Sequence, residues 1–179
     1  MSSKRPVQFR LNGEDRATFV DPGANLLDVL RRGVGDMTPK YGCGQGSCGA
    51  CTVLVDGSPR VSCLTLAETI EGRNVETAAA LRGPDGLHPL QEAFMDGFAA
   101  QCGYCTTGML MSAKALLDGN PRPTREDVIE AIGGNICRCT GYEPIIDAIL
   151  RAAEAMNASM NAPMNAPMNA RGSERRAIR

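Results

Sequence analysis

The sequence predicts an α+β protein built in two halves, strands first and helices after. Three observations carry this. Apolar and polar residues alternate near the N-terminus, apolar residues recur at helical spacing beyond residue 89, and the eight cysteines divide into two compact sets of four, one in each half.

Val7, Phe9 and Leu11 alternate with polar residues, the mark of a half-buried strand. Asn12-Gly13 follows, a dipeptide that favours the type I′ hairpin turn, and Ala17 and Phe19 belong to the return strand. Asp21-Pro22-Gly23 breaks the chain, after which Leu26, Leu27, Val29 and Leu30 are spaced as on one helix. A glycine-rich loop with three cysteines precedes the β-branched run Thr52–Val55. Asp56-Gly57 turns the chain, residues 60–63 return, and Val75 marks a last short strand. Residues 1–78 thus read as one compact α+β domain.

Residues 79–89 read as a linker around Gly83-Pro84-Asp85-Gly86. Residues 90–156 are helical. Leu90, Phe94 and Phe98 stand four apart on one face, and Met109, Leu110, Ala113, Leu116 and Leu117 continue a second helix, stopped by Asp118-Gly-Asn-Pro121. Thr124 with Asp127 resembles a capping box with Asp in place of Glu. The third helix ends at Gly133-Gly134, Pro144 suits a first helical turn, and Ile145, Ile146, Ile149 and Leu150 give a fourth helix its apolar face. Four helices with short connections predict a small bundle that gathers Cys102, Cys105, Cys137 and Cys139 into one site. From residue 157 to 179 the chain repeats Met-Asn-Ala with prolines, a low-complexity pattern that predicts a disordered tail.

The first cysteine set, Cys43, Cys48, Cys51 and Cys63, has the spacing C-x4-C-x2-C-x11-C; the second, Cys102, Cys105, Cys137 and Cys139, has C-x2-C-x31-C-x-C. Four thiolates hold one iron–sulfur cluster, and C-x4-C-x2-C with a later Cys is plant-type 2Fe–2S spacing. Two clusters and electron transfer follow as the expectation. A disulfide framework belongs to secreted chains too small for a core, whereas this chain has 179 residues, 43% of them hydrophobic, and opens on Met-Ser-Ser-Lys-Arg-Pro rather than an apolar signal segment. Zinc also takes four thiolates, but its ribbons use paired C-x2-C knuckles, which the first set lacks. Gly42, Gly44, Gly46 and Gly49 around the first three thiols let backbone N–H groups close on sulfur charge. A net charge of −1 points away from nucleic acid. Residues 171–179 carry net +3, leaving the rest mildly acidic at −4. No apolar run approaches a membrane span, and thiolate ligands suit the reducing cytoplasm.

Three segments carry a resemblance: Lys40-Tyr-Gly-Cys-Gly-Gln-Gly-Ser-Cys-Gly-Ala-Cys-Thr-Val53, Gln101-Cys-Gly-Tyr-Cys-Thr106 and Gly134-Asn-Ile-Cys-Arg-Cys-Thr-Gly-Tyr142. Over roughly residues 5–155 the chain resembles the small iron–sulfur subunit of the molybdenum hydroxylases, the group of xanthine dehydrogenase, carbon monoxide dehydrogenase and the N-heterocycle dehydrogenases. The resemblance implies an N-terminal β-grasp ferredoxin-like domain holding one 2Fe–2S cluster and a C-terminal four-helix bundle holding the other. It implies a large molybdopterin-binding partner beside the helical cluster, contacted by Gln101 and Cys139, and a medium FAD-binding partner facing the first. The family motif often has Pro where this chain has Thr107, a departure that touches no ligand.

His88, the only histidine, reads as a surface loop residue, since a Rieske centre needs two. Tyr104 and Tyr142 read as packing that keeps water from the sulfurs. No nucleophile–base pair or paired carboxylates stand out, so the expected role is an electron relay inside an oxidoreductase, with no substrate site in this chain. The competing reading is a free-standing ferredoxin-like carrier, which needs neither the second cluster nor a pterin-facing Gln101.

Overall fold

The computed structural model describes residues 4–84 and 86–161. Strands β1 (Arg5–Leu11) and β2 (Glu14–Val20) form an antiparallel hairpin. Its turn residues Asn12 and Gly13 have φ of 54° and 86°, as a two-residue I′ turn requires. Helix α1 (Leu26–Asp28), capped by the Asn25 side chain, runs on as one π-helical turn over Val29–Gly33. β3 (Thr52–Val55) and β4 (Ser58–Val61) pair antiparallel across Asp56-Gly57. β5 (Asn74–Glu76) inserts between them and the first hairpin, parallel to β1 and antiparallel to β3, giving the order β2-β1-β5-β3-β4.

β3 is buried on both faces and serves two cores. Successive strand residues point to opposite faces. Val53 and Val55 join Val7, Phe9, Leu26, Leu30, Ile70 and Val75 in the sheet core, while Leu54 belongs to the helical core. Helices α2 (Pro89–Asp96), α3 (Thr106–Gly119), α4 (Arg125–Ile132) and α5 (Glu143–Asn161) enclose that second core. Leu90, Met109, Ala113, Val128, Ile145 and Ile149 are fully buried there, and each large apolar side chain among them contributes about 1.5–3 kcal/mol of transfer free energy. The Thr124 box forms with Asp: the Asp127 amide donates to Thr124 Oγ1 at 3.2 Å and the Thr124 amide to the Asp127 carboxylate at 2.7 Å. Among the described residues no helix is long and apolar enough to cross a membrane.

Four local expectations are corrected. Phe98 does not extend the face of Leu90 and Phe94; α2 stops at Asp96, and Phe98 is 82% exposed at φ 51°. The Ala99 amide donates to Phe94 O at 2.9 Å and the Phe98 amide to Met95 O at 3.3 Å, so the helix closes in a Schellman motif with Phe98 in the left-handed place. His88 is no plain loop residue: its Nδ1 accepts from the Leu90 amide and caps α2. Burial holds its imidazole below the usual range. The stretch read as a linker begins in a 3-10 turn (Ala78–Leu81) whose Ala78 and Leu81 pack into the helical core. Lastly, α5 continues to Asn161, past the boundary drawn at Met156. No proline interrupts residues 157–161, so nothing in that stretch bars the helix. The Asn157 side-chain Nδ2 also ties the helix to the α3–α4 connection by donating to Pro121 O. The rest of the expected tail, 162–179, lies outside the described residues.

Candidate metal centres

The loop of residues 41–51 is shaped by glycine. Gly44, Gly46 and Gly49 have φ of 67°, 80° and 67°, a region open to glycine at little cost. A Cβ at Gly42 would stand 2.7 Å from Cys48 Sγ. The tight winding turns backbone donors onto sulfur: the Cys43 amide lies 3.4 Å from Cys48 Sγ and the Gln45 amide 3.4 Å from Cys43 Sγ. Cys43 and Cys48 interact directly, as do Cys51 and Cys63, and Cys43 also acts on Cys63. Of these four thiols, Cys51 and Cys63 are buried and Cys43 and Cys48 half-buried.

The second set converges from two connections. Cys102 and Cys105 lie between α2 and α3, and Cys137 and Cys139 between α4 and α5. Cys139 Sγ stands 3.6 Å from Cys102 Sγ, close to the separation of about 3.7 Å for two thiolates on one tetrahedral metal with bonds near 2.3 Å. Cys105 interacts with Cys137, and Cys137 acts on both Cys102 and Cys139. Among the described residues no three Cys, His, Asp or Glu side chains surround a single point. The pairwise interactions join Cys43 to Cys48, Cys51 to Cys63, Cys102 to Cys139 and Cys105 to Cys137.

Electrostatics follow from the same donors. The Ser47 hydroxyl and the Gln45 amide lower the Cys43 thiol to about 6. Cys137 is held down despite its burial by the Thr140 hydroxyl, 3.2 Å away, and by the Thr140 and Cys139 amides. Burial, reinforced by a neighbouring thiol, pushes Cys63 up to about 11 and Cys105 up to about 12. A cationic iron core reverses such shifts, because a coordinating thiol is deprotonated outright. The residues present fit two 2Fe–2S groups.

The two loops touch. The Ile136 amide donates to Cys48 O at 2.9 Å. Asn135 Nδ2 donates to Gly49 O at 3.0 Å, and the Tyr104 hydroxyl donates to Tyr41 O at 2.7 Å. These cross-links had no sequence signal; Tyr104 is half-exposed and spans the loops instead of sealing one. Tyr142, at φ 72°, accepts from the Cys137 amide at 3.0 Å. Gln101 is exposed beside exposed Cys102 and Cys139, and its Nε2 donates to Cys139 O at 3.2 Å. Thr107, two residues beyond Cys105, carries a buried hydroxyl without a hydrogen-bond partner among the described residues.

Residues 9–80 match the family described as 2Fe-2S iron-sulfur cluster binding domain, and residues 69–150 match the [2Fe-2S] binding domain family. The chain is 49% identical over 152 residues to the nicotine 6-hydroxylase small subunit of Paenarthrobacter nicotinovorans, covering 84% of this chain and 91% of the relative. It is 43% identical to the nicotinate dehydrogenase small FeS subunit of Eubacterium barkeri, covering 85% and 97%. Among solved structures it resembles a chain of quinoline 2-oxidoreductase from Pseudomonas putida 86, with TM-score 0.84, 46% identity and coverage of 88% and 98%.

Proposed function

The chain belongs to the small iron–sulfur subunits of the molybdenum hydroxylase family, and from that premise we propose that it relays electrons between a molybdopterin site and a flavin, each held by a partner subunit. It is an electron-transfer subunit of an oxidoreductase. Each 2Fe–2S group, when bound, supplies a one-electron carrier. The chain's own residues do the rest. Cys43, Cys48, Cys51 and Cys63 hold one group and Cys102, Cys105, Cys137 and Cys139 the other. The amides of Cys43 and Gln45 and the hydroxyls of Ser47 and Thr140 offset the negative charge on the sulfurs. Hydrogen bonds to sulfur and burial are levers that set cluster potential.

The observation that carries this reading is the pair of four-thiol sets held against one another by the Ile136–Cys48 backbone bond. A free-standing carrier needs no second set, and the second set opens to the surface at Cys102 and Cys139. That opening, rimmed by Gln101, fits the molybdopterin-bearing partner. The exposed Tyr41 and Leu64 beside the first set fit the FAD-binding one. The five-stranded sheet with α1 supports a β-grasp ferredoxin-like domain over 1–78, and α2–α5 support a four-helix bundle over 90–156. The free thiols fit a cytoplasmic setting.

The test is the chain purified with its partners. Two clusters correspond to about four irons and four sulfides per chain, with two distinct signals in the reduced state and co-purifying molybdopterin and FAD. Colourless protein with stoichiometric zinc would overturn the cluster reading. Full cluster content in a chain that never associates with larger subunits would favour the carrier.

A further inference from the structure

Asn135 is a buried polar residue, 3% exposed, at the junction of three segments. Its Nδ2 donates to Gly49 O in the first cysteine loop at 3.0 Å, and its Oδ1 accepts from Ser112 Oγ of α3 at 2.7 Å. Its own amide donates to Ile132 O at the end of α4 at 2.8 Å. The amide side chain therefore uses a donor and an acceptor at once, toward different halves of the protein. No charged or purely apolar side chain of that size can do both.

The space around it is closed. A Cβ at Gly108 of α3 would stand 2.2 Å from Gly49 O and 3.0 Å from Asn135 Nδ2, and a Cβ at Gly49 would stand 2.4 Å from Gly134 O. Two glycines bring the backbones into direct contact, and Asn135 is the side chain that bonds across the seam. The next residue, Ile136, donates to the preceding residue of the loop, Cys48. The side-chain bond at Asn135–Gly49 and the backbone bond at Ile136–Cys48 thus form consecutive rungs, two residues and one residue from Cys137 on one side and at Gly49 and Cys48 on the other.

We propose that Asn135 is a positioning residue that sets the separation and mutual orientation of the two cysteine sets, holding the Ile136–Cys48 rung in register from its anchor on Ser112. The proposal rests on the reading of both sets as cluster ligands. The side-chain hydrogen bonds of Asn135 go to Gly49 O and Ser112 Oγ; it acts by clamping the backbone that carries the thiols. Its loss lets the Gly49 loop and the 134–139 loop part while each thiol set keeps its own internal donors.

The experiment uses the complete oxidoreductase complex carrying N135A, N135D or S112A, with paramagnetic resonance of the fully reduced state. Two reduced clusters held close split each other's signals, and dipolar splitting falls steeply with separation. In the unaltered complex both signals integrate fully and show this splitting. N135D keeps the acceptor for Ser112 but loses the donor to Gly49; it and N135A retain both signals and full iron while the splitting falls at least twofold. S112A, the smallest change, gives a partial loss and decides the matter should the Asn135 variants not load both clusters. Splitting unchanged in S112A and in whichever Asn135 variants load both clusters overturns the proposal, as does reduced cluster content with normal splitting in the loaded fraction, which would mark a structural residue only. Two signals without splitting in the unaltered complex also overturn it. Absence of two cluster signals there would instead strike the electron-transfer reading itself.

Discussion

The Ile136 amide donates to the Cys48 carbonyl at 2.9 Å, so a single backbone hydrogen bond joins a thiol residue of the first set to the neighbour of a thiol residue of the second. Ile136 is itself half-exposed, so its side chain contributes little packing and its N–H is what the junction uses. Proline removes that N–H. In the complex, I136P is expected to slow redistribution of electrons between the two clusters, followed by freeze-quench paramagnetic resonance, with both clusters present. I136A keeps the amide and serves as the control. Equal rates in the two variants would show that the bond is no part of the route.

Gln101 anchors the outer ligand of the second set through Cys139 O. A hydrogen bond of this kind contributes about 1 kcal/mol net, worth roughly a fivefold change in an equilibrium. Q101A is expected to leave both clusters loaded and to slow their reduction by substrate severalfold in stopped-flow traces. An unchanged rate would argue against contact between this residue and the pterin.

The thiols of iron-free protein are expected to differ in reactivity with pH. Cys43 is lowered to about 6 by Ser47 and Gln45, whereas burial raises Cys63 to about 11 and Cys105 to about 12. Thiolate is the nucleophile. At pH 7 to 8 Cys43 is therefore mostly ionised and is alkylated first, its rate falling only as pH drops through about 6. Cys63 and Cys105 stay protonated and slow until strongly alkaline pH. Peptide mapping after timed alkylation reads the order; equal rates at pH 7 would show that the donors do not reach Cys43 in solution.

What the sequence disclosed and what it withheld divide along a physical line. Alternation at Val7, Phe9 and Leu11 and the Asn12-Gly13 turn are local signals, and the strand and turn they mark are present. The cross-links among Asn135, Gly49 and Ser112, or between Tyr104 and Tyr41, join residues 23 to 86 positions apart. No local pattern encodes such pairing, although all but Ser112 lay inside motifs already singled out. Phe98 misled for a related reason. Its spacing from Leu90 and Phe94 suits a helix face, but Gly97 ends the helix first.

Phe98 also gives a stability prediction with two arms. It occupies the left-handed position of a Schellman motif, at φ 51°, where glycine is the usual residue. A side chain in that region costs roughly 1–2 kcal/mol, and at 82% exposure Phe98 recovers little by burial within the chain. F98G is therefore expected to stabilise the isolated subunit by about 1 kcal/mol, the conformational strain outweighing the added freedom of the unfolded chain. For a domain of this size that raises Tm by roughly 2–4 °C. I149A, at a fully buried position of α5, is the opposite control and is expected to cost about 2–5 kcal/mol. Phe98 lies three residues before Gln101, on the approach to the exposed pair Cys102 and Cys139. If the partner covers that opening, the ring is buried on assembly and F98G weakens association while stabilising the free chain. Calorimetry of the isolated subunit and titration with the large subunit separate the two effects. A lower Tm for F98G would show that the ring packs in the free chain after all, and unchanged association would place the interface elsewhere.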